Sequence, residues 1–503
     1  MSLVIVSSSR HARTAAAISV FMAAMLLPLS FTGGVVTTPA ISHMLGGTPA
    51  ALAWLTNGFM LTFGSFLLAA GIVADSKGSK RVFTAGSVIF CLSSLLIYLA
   101  TSTAVIGALR ALQGVAAAMT LAGGSTALAR LYDGNARTRA FSMLGTMFGT
   151  GLAFGPLLIG LITDALGWRW VYAVMAMLSG FVMLTGTAFL PASEKQLAQK
   201  SDAAGIVLFT AALILFTLGV MLVPESGFLS IPVLALFILS LLLIRGFVIH
   251  CRKSQHPVFD LALLRYPRFV GVLLLPVATC YCYVVLLIIL PLHFMGGEGF
   301  SETQSAFYLL ALTAPMLIFP SFAAFLTRWF KPGSVSAVGL IFAAAGLLVL
   351  GQALQGNNSV LLVVSMMVIG AGAALPWGLM DGLAVSSVPV EKAGMAAGLF
   401  NTVRVAGEGI ALAMVTAFLV GINDLNLAGM TSGYTADEIK RAATWLGAGN
   451  PGQAADSLPG VAMALLRSSY DSAYAILFQV LAGLTLLCAF AVWKMLSSNK
   501  SIR

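Results

Sequence analysis

Apolar residues in this chain run in fourteen long stretches, and the polar residues are confined to the segments between them. The stretches fall near 14–36, 51–74, 82–100, 104–129, 138–163, 169–190, 203–222, 229–250, 269–293, 304–327, 334–354, 359–386, 394–421 and 472–496. Crossing the hydrocarbon core of a bilayer takes about 20 residues of helix. A chain in lipid must satisfy its backbone polar groups internally, so runs of this length are helices. The pattern predicts an all-α membrane protein with fourteen transmembrane helices. Arg10, His11 and Arg13 precede the first run as in a signal peptide. That run continues and lacks a small-residue cleavage site, so it reads as an uncleaved first span.

Composition agrees. Of 503 residues, 59% are hydrophobic and 9% charged, with a mean hydropathy of +0.98. A soluble domain of this length cannot hide so much apolar surface. The net charge of +10 raises the question of nucleic acid. The bases, however, are sorted by loop. With the N-terminus placed inside, 21 of the 27 Lys and Arg fall on the inner side, among them Lys195, Lys200, Lys392, Lys500 and Arg503. Only 4 fall outside (Arg169, Lys440, Arg441 and Arg467), and 2, Arg110 and Arg404, lie within spans. The positive-inside rule then puts both termini in the cytoplasm. The charge is topological, and no nucleic-acid partner is expected. Cys91, Cys251, Cys280, Cys282 and Cys488 lie in spans or at their inner ends, so no disulfide is expected. Cys280 and Cys282 point to different helix faces without a His or Cys partner, which argues against a metal site or other cofactor.

Two inner loops, near 191–202 and 251–268, group the spans as six, two and six. The expected domains are an N-terminal bundle at 1–190, an added helix pair with linker at 191–268, and a C-terminal bundle at 269–503. Transporters are often built from such repeated bundles, with the cargo site between them near the midplane. The longest polar stretch, about 423–470, falls on the outer side. Thr435 and Glu438 have capping-box spacing for a short helix, and Gly447 to Pro459 reads as turns. The stretch is either a solvated connector or a lid over an outer vestibule.

The turn after the second span reads Gly71-Ile-Val-Ala-Asp75-Ser-Lys-Gly78-Ser-Lys80-Arg81. It is a helix end, a tight turn and a helix start, with one acid among bases. It is either a basic anchor or a latch that locks two helices in one state. Gly71, Asp75, Gly78, Lys80 and Arg81 resemble the loop-two signature of the major facilitator superfamily, with Ser76 and Ser79 in place of two usual bases. A fainter echo, Phe325 to Gly333, follows the second span of the last six.

Further motifs extend the resemblance. Arg110 and Gln113 in span four are similar to a family signature implicated in proton coupling. An arginine in an apolar helix costs about 2.5–3.5 kcal/mol on insertion scales, so Arg110 faces a polar interior or snorkels from its position near the outer end. Span five carries Gly145, Gly149, Gly151, Gly155, Pro156 and Gly160. Gly151, Gly155, Pro156 and Gly160 are similar to the antiporter signature G-x-x-x-G-P-x-x-G-G, with Ile159 replacing a glycine. Small residues four apart also permit close helix packing, and proline favours a kink. Trp168-Arg169-Trp170 and the stretch from Val388 to Arg404 are typical of the fourteen-span drug:proton antiporter branch.

Asp381 lies late in span twelve and Glu408 in span thirteen. Asn401, Arg404 and Glu408 share one helix face, and Arg404 and Glu408 are spaced to pair. Asp381, near the inner end, either binds a proton or pairs with loop cations. The branch often carries an aspartate in its first helix, where this chain has Ser30. The protonatable role is therefore expected at Glu408, with Asp381 as second candidate. The resemblance implies a monomeric proton-coupled exporter in the bacterial cell membrane, working by alternating access on lipophilic drugs. Trp54, Phe59 and Trp377 are candidate cavity aromatics. Because Arg110 and Arg404 are retained and an acid is lost, an anionic metabolite such as a siderophore is the alternative cargo. A receptor on the same fold is the rival from another class, although the tail after Lys494 is too short for a signalling domain. No nucleophile–base pair or phosphate-binding loop supports an enzyme.

Overall fold

A computed structural model of the chain describes residues 10–191, 202–254, 261–356, 358–389, 393–431 and 433–497. The loop bases Lys195, Lys200, Lys392, Lys500 and Arg503 lie outside the described residues. Among the described residues, fourteen helical segments are long and apolar enough to cross a membrane.

The first six spans are α1 (Arg10–Leu45), α2 (Pro49–Lys77), α3 (Ser79–Leu99), α4 (Thr103–Leu131), α5 (Gly134–Leu166) and α6 (Trp168–Phe189). They pack mainly as α2 on α4, α3 on α4 and α6, and α1 on α5 and α6. One residue joins α2 to α3 and one joins α5 to α6: Gly78 (φ +104°) and Gly167 (φ +92°). Such φ values penalise any residue with a Cβ, so glycine is what allows these reversals. The added pair, α7 (Ala203–Ser226) and α8 (Ile231–Lys253), pack on each other, and α7 also touches α2 and α15 (Ala393–Met430).

Span nine is unbroken in length but mixed in type. It runs through α9 (Pro267–Thr279), a π-turn (Cys280–Val284), α10 (Leu286–Leu292) and a second π-turn (His293–Gly297). Span ten is two short helices, α11 (Glu302–Thr313) and α12 (Pro315–Leu326), divided just before Pro315, which has no N–H to continue the ladder. Then come α13 (Pro332–Gln355), α14 (Ser359–Ser386), α15, α16 (Ala436–Gly447), α17 (Pro451–Ser457) and α18 (Met463–Ser497). Burial separates centre from rim: 83% of the apolar window of span nine is enclosed by protein, but only 17% of that of α8, whose Leu241 and Leu242 face outward.

The stretch expected as a polar connector at 423–470 is mostly helix. α15 continues to Met430 and α18 already begins at Met463. Polar residues end an apolar run without ending the helix, because here they find partners: Ser469 donates to Asn423 Oδ1 at 2.9 Å, tying the two extensions together. The Thr435–Glu438 capping box forms as expected and starts α16. The Gly447–Pro459 segment is not turns alone, since α17 occupies Pro451–Ser457. α16 packs on α15, burying Ile439, Ala442, Ala443 and Leu446. We call the face that carries α16 and α17 the capped face, and the opposite one, with the Gly78 turn, the basic face.

Contacts between the two six-span bundles run through α2 with α15, α5 with α11, α12 and α14, and α1 with α10. Glycines set the approach. A Cβ on Gly64 of α2 would lie 2.5 Å from the backbone of Ala406 of α15, so no larger residue fits there.

Candidate functional site

Arg110 is fully buried inside the N-terminal bundle and does not snorkel. Its guanidinium donates to Ser30 Oγ and Gln113 Oε1, each at 2.9 Å, and to the Leu55 carbonyl at 2.8 Å. It lies over the Phe59 ring, 4.4 Å from the centroid. Gln113 in turn donates to Ser94 Oγ at 2.7 Å. Among the described residues no carboxylate pairs with Arg110. Its charge is spread over dipoles and a ring face, and Nη2 has no hydrogen-bond partner. Gly34 of α1 makes room for it, since a Cβ there would lie 2.5 Å from Nη2.

A second cluster sits where the bundles meet. The expected Arg404–Glu408 pair does not form. Arg404 reaches Asp381 of α14 instead, at 3.2 Å, and donates to Asn401 at 2.7 Å. A guanidinium has one plane and a limited reach, and Asn401 one turn earlier draws it toward α14 rather than forward along α15. Arg404 also stacks on Phe148 of α5, 4.7 Å from the ring centroid, so the pair touches both bundles. Asp381 therefore pairs with an intramembrane cation rather than with loop bases. α5 admits it through Gly145, where a Cβ would lie 2.6 Å from Asp381 Oδ2. Gly149, one turn on, faces the Trp377 indole in the same way.

Glu408 is buried, and its Oε1 lacks a partner. So do Arg404 Nε, Trp377 Nε1 and the Tyr283 hydroxyl. Tyr283 belongs to the first π-turn of span nine and meets Trp377 edge-on at 6.2 Å. Cys280 of that turn approaches the carbonyl of Gly407, the residue before Glu408. Native interiors leave few polar groups unpaired, and in a membrane protein such groups mark pathways for cargo or protons. Here they gather around α5, span nine, α14 and α15.

The later glycines of α5 have a different neighbour. A Cβ on Gly151 would collide with the Met25 carbonyl of α1, and one on Gly155 with the Thr32 hydroxyl. Pro156 and Gly160 are buried beyond them. The small-residue face thus holds α1 and α5 together within one bundle. At the basic face, Gly78 closes the α2–α3 turn, its N–H donating to Ala74 at 3.1 Å. Asp75 approaches Arg130 of α4 at 3.8 Å, while Arg81 is exposed, Lys80 half-buried and Gly71 without close neighbours.

Toward the capped face lies an apolar cavity of about 440 Å³ between α1, α2, α7, α10, α15 and α16. Its wall includes Trp54, Asn57, Leu222, Leu292, Thr416 and Thr444. Of the three candidate aromatics only Trp54 lines it. Phe59 carries Arg110, and Trp377 is packed at the bundle interface. Sequence reasoning missed Asn57, buried with an unpartnered Oδ1, and Tyr283. It also missed His293, enclosed on every side. The available signal was a strongly polar side chain inside an apolar run, an amide in span two and an imidazole at the end of span nine.

Comparison with known proteins agrees with this geometry. The profile of the Major Facilitator Superfamily matches residues 20–412. A probable actinorhodin transporter of Streptomyces coelicolor is 28% identical over 459 residues, covering 87% of this chain and 77% of that protein. The tetracenomycin C resistance and export protein of Streptomyces glaucescens is 25% identical over 400 residues, covering 79% and 74%. The human organic anion transporter MFSD10 superposes with a TM-score of 0.60 at 16% identity, over 95% of this chain and 99% of its own. A match that spans most of the chain, on a scaffold of fourteen apolar helices, settles the family: this protein belongs to the major facilitator superfamily and is a multi-pass transporter of the bacterial cell membrane.

Proposed function

We propose that the protein is a proton-coupled exporter of small lipophilic compounds that works by alternating access. The observation that carries this reading is the Arg404–Asp381 pair beside the unpaired, buried Glu408, at the seam between the bundles. Motion between the bundles draws Phe148 of α5 off Arg404, while Asp381 and Glu408 belong to the same bundle as Arg404 and move with it. Opening and closing this seam changes how much water reaches the cluster, and a buried carboxylate without a hydrogen-bond partner must then take up a proton or leave an unpaired charge in low dielectric. Glu408 is the first candidate for the coupled proton and Asp381 the second. The names of the relatives, which include a resistance and export protein, support the outward direction.

Cavity chemistry bears on the cargo. Its wall is largely apolar, with a few hydroxyls and the Asn57 amide, which suits an uncharged or lipophilic molecule. The two arginines that favour an anion do not support it. Arg110 is sealed within one bundle, and Arg404 is neutralised by Asp381. α16 contributes Thr444 to the cavity wall, which favours the lid reading of the outer segment over a bare connector. The loop charges support cytoplasmic termini and hence a capped face outside. Functional boundaries follow at 1–190, 191–268 and 269–503.

The test is efflux from proteoliposomes against a panel of lipophilic cations, neutral aromatics and siderophores, with and without an imposed pH gradient. Gradient-driven transport of apolar compounds that is lost in Glu408→Gln is expected. Undiminished gradient-driven transport in that variant would remove Glu408 from the coupling. Transport confined to siderophores would overturn the lipophilic reading.

A further inference from the structure

Span nine carries two π-turns, and each lies against titratable groups. The first, Cys280–Val284, adjoins Glu408, as described above. The second, His293–Gly297, is about 20 Å further along at 1.5 Å per residue. π-Turns inside α-helices are rare and frequent at functional sites, since each displaces a side chain from the regular register. Here the displaced residue is His293. It is enclosed in the C-terminal bundle, and neither ring nitrogen has a hydrogen-bond partner.

What surrounds His293 is specific. Its ring stacks on Tyr470 of α18 at 5.2 Å and 11°, and Tyr474 lies 4.7 Å away. Tyr470 donates to the Tyr474 hydroxyl at 3.3 Å, and Tyr474 donates to the Ile289 carbonyl of span nine at 3.1 Å. Both hydroxyls are thus committed elsewhere. The charged group in reach is Asp471, whose Oδ1 stands 3.8 Å from His293 Nε2 with its side chain 39% exposed. Glu298, after the turn, and Arg467 of α18 act electrostatically on Asp471. From α11, Tyr308 packs on the neighbouring Phe294. The α16–α17 connector seals the far side, where Gly449 sits directly on Gly296.

A distance of 3.8 Å is an ion-pair distance but too long for a hydrogen bond. Without a shared proton the pair carries one negative charge on Asp471, which favours keeping that side chain near water and Arg467. One added proton makes the pair neutral overall, whether it resides on oxygen or on nitrogen. Asp471 can then close on His293 without burying net charge. We propose that His293 and Asp471 together form a second proton-binding site at the capped face of the C-terminal bundle, joined to the Glu408 cluster by span nine. The ligand is a proton delivered by hydronium from the adjoining water. It passes to the Asp471 carboxylate, leaves a water molecule behind, and is shared with His293 Nε2. Release reverses the step. This inference rests on the proton-coupled reading for its role in transport, but not for the binding of the proton itself.

Two measurements test it, the first independent of transport. The protein is labelled with 15N-histidine, purified in detergent and titrated by NMR from about pH 5 to 8. The His293 signals are those missing from His293→Gln. A His293 ring shift that titrates in this range, and that is altered in Asp471→Asn, is expected. A His293 signal that is flat across the range, or indifferent to Asp471→Asn, overturns the site. The second measurement is efflux against pH at the capped face. In His293→Gln and Asp471→Asn the profile should move by about one pH unit or flatten, while Tyr470→Phe, which keeps the stacked ring, retains the native profile. Profiles that superimpose for all variants overturn the role in transport. If the unmutated protein shows no gradient-driven efflux, the coupled reading fails while the NMR titration still decides the site.

Discussion

Arg110 Nη1 donates to Ser30 Oγ at 2.9 Å, at the position where the first-helix aspartate of related exporters is expected. The hydroxyl accepts one hydrogen bond but supplies no charge, so among the described residues no carboxylate balances the guanidinium inside the N-terminal bundle. Ser30→Asp should create a buried ion pair there and raise or preserve the melting temperature in detergent. Arg110→Ala in the Ser30→Asp background should cost about 3–5 kcal/mol, because it strands a buried carboxylate. A double-mutant cycle measured by thermal unfolding isolates the pairing energy. A coupling near zero would mean that residue 30 does not face Arg110 as described.

The Arg404–Asp381 pair makes a parallel prediction. Arg404→Leu should destabilise the protein by about 3–5 kcal/mol, whereas Arg404→Leu with Asp381→Asn should recover much of that loss, since residue 381 then carries no charge to be stranded. The check is the midpoint of thermal aggregation for the three variants.

Gly145→Ala places a methyl group 2.6 Å from Asp381 Oδ2 and must push the carboxylate away from Arg404. Gradient-driven efflux should fall by roughly tenfold or more, the scale of 1.4 kcal/mol, at near-native expression. Gly151→Ala meets the rigid Met25 carbonyl instead, so it should lower stability by about 1–3 kcal/mol through overpacking of α1 on α5. Comparing efflux with unfolding midpoints separates the two effects.

The Glu438 carboxylate accepts the Thr435 N–H at 2.8 Å and the Thr435 hydroxyl, and these bonds hold it below the usual carboxylate range. A depressed folded-state value means that the cap is fully present above the unfolded value of glutamate. It is lost as pH falls through the folded value. The protection factors of the amides in the first turn of α16, measured by hydrogen exchange against the intrinsic rate at each pH, should therefore fall at acidic pH in the native protein. In Glu438→Gln the protection factors should no longer change with pH.

Filling the cavity is the test of its occupant. Thr444→Phe adds bulk to the wall contributed by α16 and should raise the KM for lipophilic cargo with little change in unfolding midpoint. An unchanged KM across a panel of compounds would place the cargo elsewhere.

Much of this protein was legible in its sequence. Fourteen apolar runs meant fourteen helices because lipid leaves the backbone no other way to satisfy its polar groups. Gly78 and the Thr435–Glu438 box marked a reversal and a helix start from local chemistry alone. The limits appear where a residue must choose between partners. Periodicity put Arg404 and Glu408 on one face, but only packing brought Asp381 from another helix within 3.2 Å. Asn423 and Ser469 read as the start and end of a loop, yet they bond to each other across two continuing helices. Apolar periodicity records which faces avoid water, and the spanning helices avoid it on nearly all faces. Which buried polar group meets which is decided by helix approach, set at Gly34, Gly145 and Gly296 by the space that a missing Cβ leaves. Span and fold class were therefore determined by sequence. The pairing of Arg110 with Ser30 and Arg404 with Asp381, and the enclosure of His293, were decided by tertiary structure.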